Sequence, residues 1–484
     1  MRKTIVIVVF LSVIVSVVNI SSVASATINV PGDYATIQAA VNNAHDGDTI
    51  VVASGTYAGA TIDKNVTISG ASDGSSIITS GVHYGGGHPT LETAFLLDTG
   101  SDGAAIQNFT INCDQLTDFF FAVFSRGIDN ITVNSLTVND TIQGITNWGG
   151  SGWIITNNTV IDYQPAGGGG IAIWVGVNTT HPVANGNIIE NNTLTTSVPG
   201  AATFTCPAIS LAFDDRSGGE TGNEELFNNK ILNNTITVTG GPLTNTGGVE
   251  VGIIGLGGDP NKIAALIGCV HDNTISSNII KGAEMGVYMY TVSNLSIVKN
   301  EITNCDIGVR IDDGNSGNNI NCNDIYGNAS YGVFNASGSY VDARFNWWGN
   351  ASGPIHADNP GGTGDTVSDF VKFAPWGLVP NPCAPRVTPD QPKTYGKQTC
   401  TLARNNISKA ETLMETVEDR LTDAQELDVD TTEVEELLFE AQKLLEEAKT
   451  FCQNSQNCIA GNTLALEAQE LIEEAEKLLN SLLS

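Results

Sequence analysis

One phrase recurs along this chain: an isoleucine, two residues, an asparagine, one residue, an aliphatic. It reads Ile131-Thr132-Val133-Asn134-Ser135-Leu136, and it returns around Asn158, Asn192, Asn234, Asn278, Asn300 and Asn323, with a degraded copy at Asn346. The last intervals are 22, 23 and 23 residues. A fixed period of that size means stacked units, none of which can bury its apolar face alone. It also limits the functional question, because a solenoid is a scaffold and activity sits in what decorates it.

The unit is too short for two packed helices and is rich in β-branched residues. It reads as two or three short strands with Gly and Asn at the bends. Strands of one coil then pair with the next about 4.8 Å away. The asparagine is expected in a left-handed turn, hydrogen-bonding to neighbours above and below.

This pattern resembles the right-handed parallel β-helix of pectate lyases and their relatives. The resemblance covers residues 27–379 and implies a mostly β, single-stranded solenoid. At its start, Asp33-Tyr34-Ala35-Thr36-Ile37-Gln38-Ala39-Ala40-Val41 reads as a short helix with Asp33 as N-cap, plugging the open coil. Asp46 to Val52, with Gly55-Thr56-Tyr57, resembles the opening of pectin-methylesterase-like β-helix proteins. At the far end, Asn346-Trp347-Trp348-Gly349-Asn350-Ala351-Ser352-Gly353-Pro354 resembles the closing segment of microbial, especially archaeal, surface β-helix proteins. Its tryptophans are expected to cap the last coil.

Residues 1–26 read as a signal peptide: Arg2 and Lys3, the apolar run Ile5 to Val18, then Ala24-Ser25-Ala26. No second long apolar run follows, so no membrane span is expected in the mature chain. The implied location is secreted or extracellular, at a cell surface. Residues 380–399 hold five prolines and read as a stiff linker. Residues 400–484 carry three helical stripes: Ile407, Ala410, Met414, Val417, Leu421, Ala424; then Val434, Leu438, Ala441, Leu445, Ala448; then Leu464, Ala468, Leu471, Ala475, Leu478, Leu482. They predict a three-helix bundle or coiled coil. Beyond residue 400 there are 19 acids against 6 bases, which suits a solvated face or docking to a cationic cell-envelope partner.

The net charge of −31 argues against nucleic acid as a partner. Nine cysteines suit an oxidising compartment, with Cys400 and Cys452 the preferred disulfide, and no CxxC pair suggests zinc. Thirteen N-x-S/T sequons follow the signal, many of them by-products of the repeat. Asn65, Asn178, Asn328, Asn335 and Asn350 sit in expected loops and are the glycosylation candidates.

A second landmark precedes each asparagine: a small residue, then an aliphatic. The pairs are Gly144-Ile145, Gly170-Ile171, Ala208-Ile209, Gly248-Val249, Gly286-Val287, Gly308-Val309 and Gly332-Val333. Three consecutive coils carry extra length after it, near 176–187, 213–229 and 253–273, where a binding site would sit. Strand alternation then aims one row outward: Thr146, Ala172, Ser210, Glu250, Tyr288, Arg310, Phe334. A second row reads Trp148, Trp174, Ala212, Gly252, Tyr290, Asp312, Ala336. An aromatic-flanked notch with polar groups suits a sugar ring, so the ligand-binding candidates are Trp148, Trp174, Glu250, Tyr288, Tyr290, Arg310 and Asp312.

Catalytic candidates are Asp214, Asp215, Glu250, His271 and Arg310. Glu250 and Asp312 should lie on the order of 12 Å apart, wide for a glycosidase pair. Asp-Asp pairs resemble β-helix polygalacturonases, whose accompanying His and Arg-Ile-Lys motifs are absent here. His271-Asp272 resembles the His-Asp element of β-helix epimerases without its flanks. No metal site or cofactor is expected, although Asp312-Asp313-Gly314-Asn315 leaves Ca²⁺ open. Three roles remain: polysaccharide or glycan binding, a carbohydrate-active lyase, hydrolase or epimerase, and a structural surface component.

Overall fold

The computed structural model describes residues 25–483 apart from 86–89, 114–117, 164–169, 198–205, 215–222, 240–245, 255–267, 313–315, 382–383, 386–394, 427–430 and 454–457. At several further positions, Asp214 and 395–403 among them, it describes the backbone alone. The expected signal segment up to Ala24 therefore lies outside the described residues. No described helix is long and apolar enough to cross a membrane.

Each coil contributes one strand to each of three sheets. Thr132–Asn134, Thr137–Asn139 and Gln143–Trp148 make one circuit, and Ile154–Thr156 opens the next. The sheets hold 13, 10 and 11 strands. Among the described strands every pairing is parallel except that of Val82–His83 with Glu92–Leu97, and one isolated bridge, His356 with Asn359, is antiparallel. This is a parallel β-helix. Its core is a set of columns, one of which runs Val133, Ile155, Ile189, Ile231, Ile275, Ile297, Ile320, all fully buried. Each such side chain contributes roughly 1.5–3 kcal/mol through burial.

The asparagines form a continuous ladder. Asn192 Oδ1 accepts from both the backbone N and the Nδ2 of Asn158, at 2.9 and 3.0 Å. The same double contact passes to Asn234, Asn278, Asn300, Asn323 and Asn346. Each rung satisfies buried backbone that would otherwise be orphaned at the bend. A second ladder, Asn187, Asn229 and Asn273, runs five residues upstream of the first.

Two expectations about the phrase change. The left-handed residue is the one before each rung: Asn157, Asn191, Asn233, Ser277, Lys299, Cys322 and Phe345 have φ between 53° and 62°. The rung itself needs its amide aimed along the helix axis. The first copy is also out of register by two, because Asn134 pairs with Thr156 and Leu136 stands in the rung position.

Helix α1 spans Ile37–Asn43 and closes the first coil with Ile37, Ala40 and Val41 buried. Its N-cap is Thr36, whose Oγ1 accepts from Ala39 N at 3.1 Å. Asp33, expected in that role, is engaged by Asn29 N and Nδ2 instead. At the other end Trp348 is fully buried against Gly332, the last of the inward small residues.

The C-terminal part forms α2 (Tyr395–Glu426), α3 (Thr432–Gln453) and α4 (Cys458–Leu482). Helix α2 begins inside the stretch expected to be linker. The first two stripes are buried as patterned, with Leu421 only partly so. The third is shifted by one residue at three places. Ala465, Ile472 and Leu479 fill the core, whereas Leu464, Leu471 and Leu478 flank it and Leu482 is exposed. Both frames are apolar at helical spacing and share Ala468 and Ala475; packing buries the one that adds Ala465, Ile472 and Leu479.

Of the described cysteines, Cys113, Cys269 and Cys305 are buried free thiols. They sit where a coil needs a small apolar group, so their burial serves packing. The side chains of Cys400 and Cys452 lie outside the described set. Asn328 and Asn335 are corrected as glycan acceptors. Both are buried, and their Nδ2 atoms donate to Ile302 O and Asp365 Oδ2, and to Ser339 O and Phe370 O. Asn65 and Asn350 are exposed and Asn178 is half-buried.

Candidate functional site

The 11-stranded sheet carries the candidate residues, and its register corrects one assignment. Gln143 pairs with Ile171 and Ile145 with Ile173, so Ala172-Ile173 is the landmark, not Gly170-Ile171. The first outward row is therefore Thr146, Trp174, Ser210, Glu250, Tyr288, Arg310, Phe334. Trp148, Gly176, Ala212, Gly252 and Tyr290 form the second. The notch floor is thus three small residues, with Trp148 at one end and Tyr290 at the other.

The centre of this face is not open. Trp174 is 2% exposed, Glu250 3%, and Thr146, Ser210 and Ala212 are fully buried. Glu250 is thus a carboxyl group buried in the sheet face, a placement that functional sites favour. What remains accessible lies at the two ends of the rows.

At one end Tyr288 Oη donates to Asp312 Oδ2 at 3.0 Å, and Arg310 Nε donates to Asp312 Oδ1 at 3.1 Å. Arg310 and Asp312 are 38% and 20% exposed in their side chains, so the cluster faces solvent. Burial, then the Asp312 and Glu250 carboxylates, hold the Tyr288 phenol above its ordinary range. It is a neutral donor at any physiological pH. Tyr290 is half-buried on the neighbouring outward position.

At the other end is a group the sequence reading missed. Arg126 ends strand Phe119–Arg126 and pairs with Trp148. Its guanidinium lies 4.5 Å from the Phe124 ring centroid and 5.2 Å from that of Tyr84, and Nη1 donates to Tyr84 O at 3.0 Å. Trp148 and Trp174 rings meet at 4.6 Å, tilted by 53°. His181 sits against Gly127 and Gly149, both with positive φ. A Cβ at either glycine would fall within 3.0 Å of it. Burial and the Arg126 charge hold the imidazole below its ordinary range, so it is neutral. The available signal was the alternation Phe124-Ser125-Arg126-Gly127, one coil before the first landmark.

The catalytic candidates do not all meet. His271 stands on a separate three-stranded sheet with Val183–Asn185 and Glu225–Phe227. There its Nδ1 is 2.7 Å from Asp272 Oδ2 and its ring stacks on Phe227. Glu250 and Arg310 share a row with Tyr288 between them. The side chain of Asp214, and Asp215 and Asp313 to Asn315 entirely, lie outside the described residues.

A family model described as "Periplasmic copper-binding protein (NosD)" matches residues 261–347. Copper favours imidazole and sulfur ligands. In that stretch His271 is the lone histidine and is engaged by Asp272, while Cys269 and Cys305 are buried. Among the described residues no three His, Cys, Asp or Glu are grouped to hold a metal. No curated protein matches the chain.

Several solved structures are similar in shape. The A-module of a mannuronan C-5 epimerase from Azotobacter vinelandii is 15% identical, with a TM-score of 0.38, over 70% of this chain and 94% of that one. A polygalacturonase from Erwinia carotovora is 11% identical, with a TM-score of 0.37, over 73% and 95%. Rice weevil pectin methyl esterase is 16% identical, with a TM-score of 0.33, over 54% and 78%.

Proposed function

We propose that this protein binds polysaccharide outside the cytoplasm, on the outward face of the 11-stranded sheet. The carrying observation is the Tyr288–Asp312–Arg310 cluster. Two donors fix one carboxylate at the accessible end of a row, beside the half-buried ring of Tyr290. A sugar presents a C–H face to an aromatic ring and hydroxyls to fixed polar groups, and this corner offers both. Because the cluster is held by its own hydrogen bonds, little side-chain freedom is lost on binding. Helices α2 to α4, acidic on their outer faces, are proposed to meet a cell-envelope partner.

Binding to a glycan array tests this reading with the whole chain, Tyr290→Ala and Arg310→Gln. Weakening of about tenfold or more in each variant is expected for the same glycans. Binding indifferent to both changes would sink the idea.

One observation favours a carbohydrate-active enzyme as the second reading: buried Glu250 and Asp312 both act on the phenol of Tyr288. Turnover of acidic polysaccharide, lost in Glu250→Gln with binding retained, would promote it.

A further inference from the structure

We infer that Arg126, Trp148 and His181 form a second subsite on this face, one that takes the carboxylate of an acidic sugar. Three observations converge there. The guanidinium of Arg126 is half-buried in a chain of net charge −31, yet no acid pairs with it among the described residues. Arg126 carries five N–H donors, of which Tyr84 O takes one. Two aromatic rings hold the group in place, so its fork is already oriented for a planar carboxylate, which it binds through two parallel hydrogen bonds. Trp148, its partner across the strand pair, is accessible in part and offers a stacking surface. Neutral His181 closes the corner over Gly127 and Gly149, and can bond a hydroxyl without competing for the anion.

The subsite rests on the polysaccharide reading and extends it. Arg126 and Arg310 stand on strands six pairings apart in the same sheet, about 29 Å along the axis. Because Trp174, Ser210, Ala212 and Glu250 between them are buried, the two ends are separate subsites of one face, each with its own access from solvent. Selection for negative charge falls to Arg126, because Arg310 at the other end is already paired with Asp312 at 3.1 Å.

The test is calorimetry on the whole chain with hexamers of galacturonate, mannuronate and guluronate, and with their fully methyl-esterified forms. The wild type is expected to prefer at least one acid over its ester by about tenfold or more. Arg126→Gln should lose most of that preference, and Arg126→Lys should keep part of it, since the charge remains without the fork. Trp148→Ala should weaken acid and ester alike. Far-UV circular dichroism confirms that each variant keeps its strands. Equal binding of acid and ester, or an acid preference unchanged in Arg126→Gln, overturns the subsite while leaving polysaccharide binding intact. Binding of no hexamer in either form overturns the subsite, and the array of the previous section then decides the broader reading separately.

Discussion

Tyr288 gives its phenolic hydrogen to Asp312 across 3.0 Å, from strand Met285–Tyr290 to the residue just past strand Ile307–Ile311. Arg310, directly opposite Tyr288 in the register, secures the other carboxylate oxygen. Removing the hydroxyl in Tyr288→Phe should cost about 1–2 kcal/mol, the price of a hydrogen bond to a charged acceptor. Urea unfolding of the two proteins measures it, and an unchanged midpoint would contradict the contact.

The same phenol predicts a pH dependence. Its folded pKa lies above the ordinary value of 10, with burial the largest cause and Asp312 next. Above pH about 10 the unfolded chain loses this proton while the folded chain keeps it, so stability falls as pH rises. Tyr163 and Tyr326 are raised in the same direction. Between pH 9 and 11 the wild type should lose stability more steeply than Tyr288→Phe. Equal slopes would show that Tyr288 titrates alike in both states.

Asn234 sits mid-ladder with four side-chain hydrogen bonds: two accepted from Asn192 and two donated, to Ile189 O and Asn278 Oδ1. Asn234→Leu strands the buried N–H of Asn192 and should destabilise by roughly 3 kcal/mol. Asn134→Ala, at a position the ladder does not use, should cost less than about 1 kcal/mol. Similar losses for the two in urea titrations would falsify the ladder as the main source of order at the bend.

Lys299 holds φ of 59° at an exposed bend. Asparagine tolerates that conformation better than lysine, so Lys299→Asn should gain about 0.5–1 kcal/mol. A thermal melt reads the shift, and no gain would mean that the bend is unstrained.

Cys113 and Cys305 are buried, and burial pushes both thiols up to about 12. With so little thiolate both should resist iodoacetamide at pH 8 while the chain is folded and react only once it unfolds. Mass mapping of alkylated peptides from the folded and the unfolded chain reads the difference.

The coils were legible because Ile155, Ile189, Ile231 and their successors recur at one distance from a rung asparagine. The second ladder is legible too, since Asn187, Asn229 and Asn273 precede the rungs at a constant offset. The slip at Ala172 has a chemical reason. Gly170-Ile171 and Ala172-Ile173 both read small-then-aliphatic, and only strand pairing distinguishes them. That slip put Trp174 in the wrong outward row. Burial of Glu250 and Trp174 was not readable at all, because alternation says which side a residue faces and not what lies over it. Arg126 escaped because its coil lacks the rung asparagine used as the ruler.

The ladder also has a direction. Every rung turns its carbonyl oxygen back to the coil before it, so the series has a head and a tail. At the head, Leu136 offers only a backbone N–H. At the tail, Asn346 directs its amide to Ile320 O and Ala343 O. A whole coil can therefore be inserted or lost between two interior rungs without disturbing either terminus. Length along this rod is an adjustable quantity, and with it the separation of whatever two groups its ends present.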